Sequence, residues 1–486
     1  MKRPDQPQPL SLAEAIIPVA GLILLVALSY FLFGDAGAAG PNQVALVVAT
    51  MIAVFIGWRR GHSLESLGEA AAKSVSTGIG AIFILFGVGA LIGTWAMSGT
   101  LVAMVYYGLQ LLSPNYFYVT ACAVSAIVAI SIGSSWTVVG TIGIGFMGIA
   151  ANMGLNPAIA AGAIISGAYF GDTCSPLSDS ANLAAAASGV GLYTHLRETL
   201  LTSSVAIAIS MAVFFLLGQP GDFDASAKLE AIKGAFHISL WLFLPLVLVV
   251  ALAALKVTPF TTIFLGAIAG GVLAAILEPG RVIAFADPGG ELWRAVALLK
   301  GVWLALASGY TSTSGIASLD LLASRGGMDS MLNTIWLIIT ALAFGGVVEK
   351  AGVLERLITP IIEKAKTNGA LVASLVGSIF ATNVITADQY IAIVLPGRMF
   401  KTAFARRGLA PAVLSRSVAG SATPTSALIP WNSCGAYMAA TLGVATWSYA
   451  PWAIFSFVSP LLTIGVAFAG IRMLRAPAGA TASAQP

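Results

Sequence analysis

Long uncharged apolar runs alternate with short polar stretches along nearly all of this 486-residue chain. A helix needs about 20 apolar residues to cross the hydrocarbon core of a bilayer. The runs 43–58, 200–217, 238–255, 259–277, 332–348 and 450–471 reach or approach that length. So does 16–33, which lacks a clear cleavage site and reads as a retained helix rather than a signal peptide. Other runs are longer but interrupted by Gly, Pro, Ser and Thr. From Ser74 to Gly171 there is no Asp, Glu, Lys, Arg or His, which is enough chain for four passes with short turns. The pattern predicts an all-α polytopic membrane protein with about 10–13 transmembrane passes.

One sizeable soluble segment, 218–237, carries Asp222, Asp224, Lys228, Glu230 and Lys233 and reads as a linker between halves 1–217 and 238–475. The tail 476–486 is low-complexity and expected to be disordered. Each half holds two polar interruptions, about 40 residues apart: GSSWT (133–137) and GDTCSPLSDSAN (171–182), then ATNVITADQ (381–389) and GSATPTSALIPWNSCG (420–435). Paired breaks in related halves mark transporters built from inverted repeats with broken helices.

Composition sharpens this. Residues AVILMFWYC make up 58% and charged residues only 9%, against about 25% charge in a soluble domain. The net charge of +4 forms no basic stripe interleaved with aromatics, so nucleic acid is not an expected partner. Instead Lys and Arg cluster between apolar runs. Lys2, Arg3, Arg59, Arg60 and Lys73 flank the first two helices, whose connecting loop has no positive charge. Arg398, Lys401, Arg406, Arg407, Arg472 and Arg475 mark further inside segments. Positive charge is retained on the cytoplasmic side, so both termini are expected there. Cys122, Cys174 and Cys434 are scattered and form no disulfide framework or CxxC site. Three His and no HExxH leave a zinc enzyme without ligands. No cofactor is expected.

The chemistry resides in isolated aspartates. Between Lys73 and His195 the charged residues are Asp172 and Asp179, in GDTCSPLSD. Between Lys366 and Arg398 the sole charge is Asp388. A charge near the bilayer centre costs about 2.5–3.5 kcal/mol on insertion scales, so it marks function by default. Gly171, Pro176 and the hydroxyl residues around Asp172 are expected to unwind the helix there. Such a break offers carbonyls, hydroxyls and carboxylate, the hard oxygen donors an alkali cation takes. Candidate cation and proton ligands are therefore Asp172, Asp179 and Asp388 with Ser175, Ser178, Asn182, Asn383 and Thr386. Ser134, Ser135, Thr137, Thr423, Thr425, Ser426 and Asn432 are candidate contacts at the remaining breaks, with Trp136 and Trp431 beside them. Pro424 and Pro430 are expected to unwind 423–432. The plainer alternative makes Asp172 or Asp179 a water-facing helix cap and 423–432 a turn. Glu349 reads as interfacial; Asp320 fits either a relay or a surface cap.

The stretch ISGAYFGDTCSPLSDSANLAAA resembles the signature of the NhaC family of sodium/proton antiporters. AFGGVVEKAGVLERL, ATNVITADQYIAIVLPGRMF and SATPTSALIPWNSCGAYMA are similar to later blocks of that family, in the same order. The resemblance covers nearly the whole chain. It implies two inverted repeats, each with a re-entrant hairpin and a broken helix, a scaffold and a transport part, a homodimer, and a bacterial inner-membrane location. Cys174 within the signature departs from relatives that carry Lys or Met nearby.

The expected activity is exchange of Na+ for H+, the two competing for Asp172, Asp179 and Asp388 at a site exposed alternately to each side. A rival of the same architecture couples Na+ and H+ to an organic acid or amino acid. An intramembrane aspartic protease and a passive channel are remoter, since no GxGD-type partner segment or Ser/His pair is present.

Overall fold

The computed structural model describes residues 7–34, 37, 40–218, 225–312, 320 and 324–475. The expected tail and linker residues Asp222 and Asp224 lie outside them. The protein is an all-α polytopic membrane protein. Eight described helices are long and apolar enough to cross a membrane, nine if one bent pair is a single span. The expected 10–13 passes included shorter and polar-broken segments, among them Thr100–Leu111 and Phe117–Ile132.

Three helices come first: α1 (Leu12–Phe33), α2 (Pro41–Arg59) and α3 (Leu64–Thr77). Ser11 and Glu14 form a reciprocal capping box at the start of α1. Then follow α4 (Ile79–Ser98), α5 (Thr100–Leu111), α6 (Phe117–Ile132), α7 (Ser135–Val138), α8 (Ile144–Asn152), α9 (Pro157–Cys174), α10 (Asp179–Ser188) and α11 (Leu192–Leu216). A π-helical turn, Val139–Gly143, joins α7 to α8. The middle comprises α12 (Ser226–Ala235), α13 (Leu244–Ala254), α14 (Pro259–Leu277), α15 (Pro279–Ala286) and α16 (Arg294–Ser308). The last group is α17 (Leu332–Lys350), α18 (Val353–Lys364), α19 (Asn368–Thr386), α20 (Gln389–Arg406), α21 (Pro411–Ser426), α22 (Ser433–Leu442), α23 (Thr446–Tyr449) and α24 (Ile454–Phe468).

The first group from α4 and the last from α17 are repeats in constant register, 254 positions apart. Gly154-Leu155-Asn156-Pro157-Ala158 matches Gly408-Leu409-Ala410-Pro411-Ala412, and Pro176 matches Pro430. Ser178 and Asn432, the N-caps of α10 and α22, correspond, as do their C-terminal glycines Gly189 and Gly443. The repeats are antiparallel. A Cβ on Gly78, before α4, would meet Leu342 within α17, while one on Gly89, further along α4, would meet Gly327 and Met331, before α17 begins.

Each repeat contains a helical hairpin and a broken helix. In the first, α6 turns back at Gly133 (φ +77°), where a Cβ would lie 2.6 Å from the Leu177 carbonyl carbon. Only glycine fits both that backbone and that approach. Its counterpart is Ala387, held at φ +57° between α19 and α20.

Two local expectations are corrected. Asp172 lies in the last turn of a continuous α9, and the unwound stretch is 175–178 after it. Pro424 remains inside α21, and the break begins at Ala427. Proline frees the carbonyl four residues earlier, and the Ser459 hydroxyl donates to that Gly420 carbonyl at 2.7 Å. With the orphan satisfied, the helix continues.

Away from these breaks, Glu198 on α11 meets Arg472 at 2.6 Å and the buried Arg416 of α21 at 3.7 Å. Removing one partner of a buried pair strands the other charge, at a cost of about 3 kcal/mol or more. Glu198→Gln is expected to lower the melting temperature in detergent, a thermal-shift measurement, while leaving the cavity described next untouched.

Candidate cation site

Asp172, Asp179 and Asp388 line one cavity of about 680 Å³. It sits where the hairpin tip of each repeat meets the broken helices. Its rim is formed by the α3–α4 turn, Thr77–Gly80, and the α13–α14 turn, with exposed Lys256 and Thr258.

Asp172 is the most heavily bonded of the three. Its Oδ1 accepts from the hydroxyls of Ser178 (2.6 Å) and Ser180 (3.0 Å). Its Oδ2 accepts from the Ser135 hydroxyl (2.6 Å) and backbone N–H (3.3 Å). The hairpin tip and the α10 start thus converge on one carboxylate. Ser178 is also the N-cap of α10, accepting from the Ala181 N–H. Asp179 is the first residue of α10, exposed toward the cavity, where a carboxylate is favoured by the helix dipole. Asp388 is buried yet lines the cavity, and it caps α20 by accepting from the Ile391 N–H at 2.8 Å. A capping role and a place in the cavity coincide in this residue.

The other candidates divide. Ser134, Thr137 and Asn182 line the cavity. Ser134 caps α7 by accepting from the Thr137 N–H, and Asn182 folds back on the Ser178 carbonyl at 2.8 Å. Ser175 donates to the Ile130 carbonyl at 2.7 Å and ties the first break to α6. Asn383 donates to the Ala422 carbonyl and Thr425 hydroxyl, and receives the Asn432 amide. Thr386 donates to Thr382, and the Thr423 carbonyl accepts from Ser426. These residues brace the breaks from behind the cavity wall. Trp431 does the same through its indole N–H to the Val384 carbonyl, whereas Trp136 faces the cavity.

Among the described residues, no group of three or more His, Cys, Asp or Glu converges to hold a metal ion. The three aspartates share a wall rather than a point. Hard cations take oxygen donors, and Asp172 gathers its carboxylate with the hydroxyls of Ser135, Ser178 and Ser180 at one place.

A model of the Na+/H+ antiporter family matches residues 167–471. The chain belongs to that family. The Na+/H+ antiporter NhaC of Alkalihalophilus pseudofirmus is 35% identical over 88% of this chain and 90% of its own. The malate-2H+/Na+-lactate antiporter of Bacillus subtilis is 34% identical over 94% of each chain. The arginine/ornithine antiporter ArcD of Halobacterium salinarum is 34% identical over 95% of this chain and 93% of its own.

Three residues at or near the cavity were not among the sequence candidates. Ser180 bonds Asp172 directly. Gln389 accepts from Ser426 (2.8 Å) and from the Cys434 thiol (3.1 Å). Tyr437 stacks on Trp136 with ring centroids 4.0 Å apart and donates to the Trp136 carbonyl. The repeat register could have found one of them, Gln389. Ser135 bonds Asp172 in the first repeat, and 254 positions on Gln389 bonds Ser426.

Glu349 and Lys350 end α17 in exposed positions. Asp320 is half-buried, and the residues flanking it in the chain, 313–319 and 321–323, lie outside the described residues.

Proposed function

We propose that this chain exchanges Na+ for H+ across a bacterial inner membrane through competition of the two cations at the carboxylates of one cavity. The observation that carries the reading is that Asp172, Asp179 and Asp388, the isolated charges of two different repeats, line the same cavity. A proton and a sodium ion each neutralise such a carboxylate, and occupancy by one excludes the other. Two opposed gradients are then coupled if the cavity is reached from each face in turn. The hairpins and broken helices form the moving part in this proposal, and α1–α3 with α12–α16 the frame.

Orientation follows from charge. Exposed Arg59, Lys73, Lys256 and Lys350 stand at the end of the bundle where α2 finishes and the cavity has its rim. Retention of positive charge makes that end cytoplasmic, and the N-terminus with it. The homodimer belongs to the same proposal; light scattering of the purified protein tests it.

The test is reconstitution into proteoliposomes with a pH dye and a voltage dye read together. Na+ added outside should move protons the opposite way. Because protons compete, the Na+ concentration for half-maximal exchange should rise as pH falls through the active range. A half-saturation constant independent of pH overturns the competition.

A second reading has its own support. The cavity is far larger than a sodium ion, and Trp136, Tyr390 and the rim residue Lys256 could receive an organic anion or amino acid. Uptake of labelled malate, lactate or arginine alongside Na+ distinguishes this coupled antiport from simple cation exchange.

A further inference from the structure

A second cavity, of about 280 Å³, lies between α1, α2, α17 and α22. Its walls include Tyr30, Asn42, Asn333, Thr334, Pro430 and Ala436. Its position is set by the repeat. Gly80, Pro176 and Asn182 of the first cavity correspond, 254 positions on, to Thr334, Pro430 and Ala436 of the second. The two cavities therefore lie at corresponding places, each beside the break of one repeat, although Asp388, Gln389 and Ser433 of the second repeat also line the first and α1 and α2 help to wall the second.

They are at opposite ends of the bundle. Arg60 pairs with Glu14, so α1 starts where α2 finishes. The Gln43 amide donates to the Asn333 carbonyl at 3.0 Å, so α2 and α17 start together at the other end. The second cavity, between Tyr30, Asn42 and Asn333, is at that other end. The first has its rim where α3 runs into α4, beside the later turns of α17.

They are also in different states. The first cavity holds α4 away from the break before α10. In the second repeat the corresponding pair, α17 and α22, packs together, and only the smaller cavity remains. One stretch of chain separates the two spaces: Pro430 faces the second, and Ser433 and Cys434 face the first. The face that α22 turns to the second cavity is Ala436, Ala439, Ala440 and Gly443, without a bulky side chain. Asn42 points to a polar occupant. It is 2% exposed, lines the cavity, and its amide oxygen has no hydrogen-bond partner among the described residues. An unpaired buried acceptor is costly unless a cation or water reaches it.

We propose that the second cavity is the opposite-face half of the cation route, narrowed in this state, with the Asn42 amide oxygen meeting a partly hydrated alkali cation. The wall 427–434 is the gate between the halves. When the repeats exchange conformations, α22 leaves α17, the second cavity widens to the size of the first, and α4 closes on the α10 break. The inference rests on the antiport reading and adds the path by which the site meets the other face.

Two single substitutions test it, Ala81→Cys in the first cavity and Ala440→Cys in the second, both at half-buried positions. Each is probed in sealed vesicles with a membrane-impermeant maleimide from either face, the parent and its three buried cysteines setting the background. Ala81→Cys should label from one face and Ala440→Cys from the other. Na+ alone, or acid alone, should change the two labelling rates in opposite directions. Labelling of both from one face, or rates that rise and fall together, overturns the proposal while Na+/H+ exchange by the parent keeps the antiport reading. A parent without exchange overturns both. Asn42→Leu should slow exchange about tenfold, the loss of one cation-contacting oxygen, and Asn42→Asp, which keeps an oxygen, should restore it. Parental rates in Asn42→Leu also overturn the role given to Asn42.

Discussion

Asp172→Asn is expected to eliminate Na+/H+ exchange in proteoliposomes without unfolding the protein. Four donors from Ser135, Ser178 and Ser180 end on this one carboxylate. Asparagine keeps the shape and one acceptor oxygen. The serine hydroxyls rotate to accept from its amide, so α10 stays docked on the hairpin tip. What disappears is the charge. A hydrogen bond to a charged group contributes about 1.5–3 kcal/mol, and a cation held by that charge loses at least as much. That corresponds to about ten- to a hundredfold in affinity, enough to leave little exchange at ordinary Na+ concentrations. Ser135→Ala, which removes one hydroxyl and keeps the backbone donor, should give an intermediate loss. Exchange by Asp172→Asn at the parental rate, with the parental pH profile, would falsify the assignment.

The second large effect is expected at Asp388, where charge and capping can be separated. Asparagine caps a helix about as well as aspartate, whereas alanine costs about 1 kcal/mol. Asp388→Asn should therefore lose exchange at unchanged thermal stability. Asp388→Ala should lose exchange and melt earlier. If Asp388→Asn transports like the parent, the residue serves α20 alone, and the site belongs to the first repeat.

Much of this was readable from the chain before folding. A buried charge in a long uncharged run is conspicuous, so Asp172, Asp179 and Asp388 stood out at once, and all three line the cavity. The paired polar interruptions were visible too. Their roles were harder to read. Ser175 and Asn182 look alike beside Asp172 in sequence, yet one braces α6 and the other faces the cavity. Pro424 looked like a break and is not one, because its satisfying partner, Ser459, lies on another helix.

Hydropathy and charge spacing by themselves determined that the chain spans a membrane as helices and where its few expensive charges lie. Those properties are local, since each residue's transfer cost depends on its own side chain. Which hydroxyls reach Asp172, that Asp388 joins it across 216 positions of chain, and that a second, smaller cavity lies between α1, α2, α17 and α22 were decided by the tertiary structure. They depend on two antiparallel repeats meeting at their hairpin tips, a contact between segments that carry no local sign of one another.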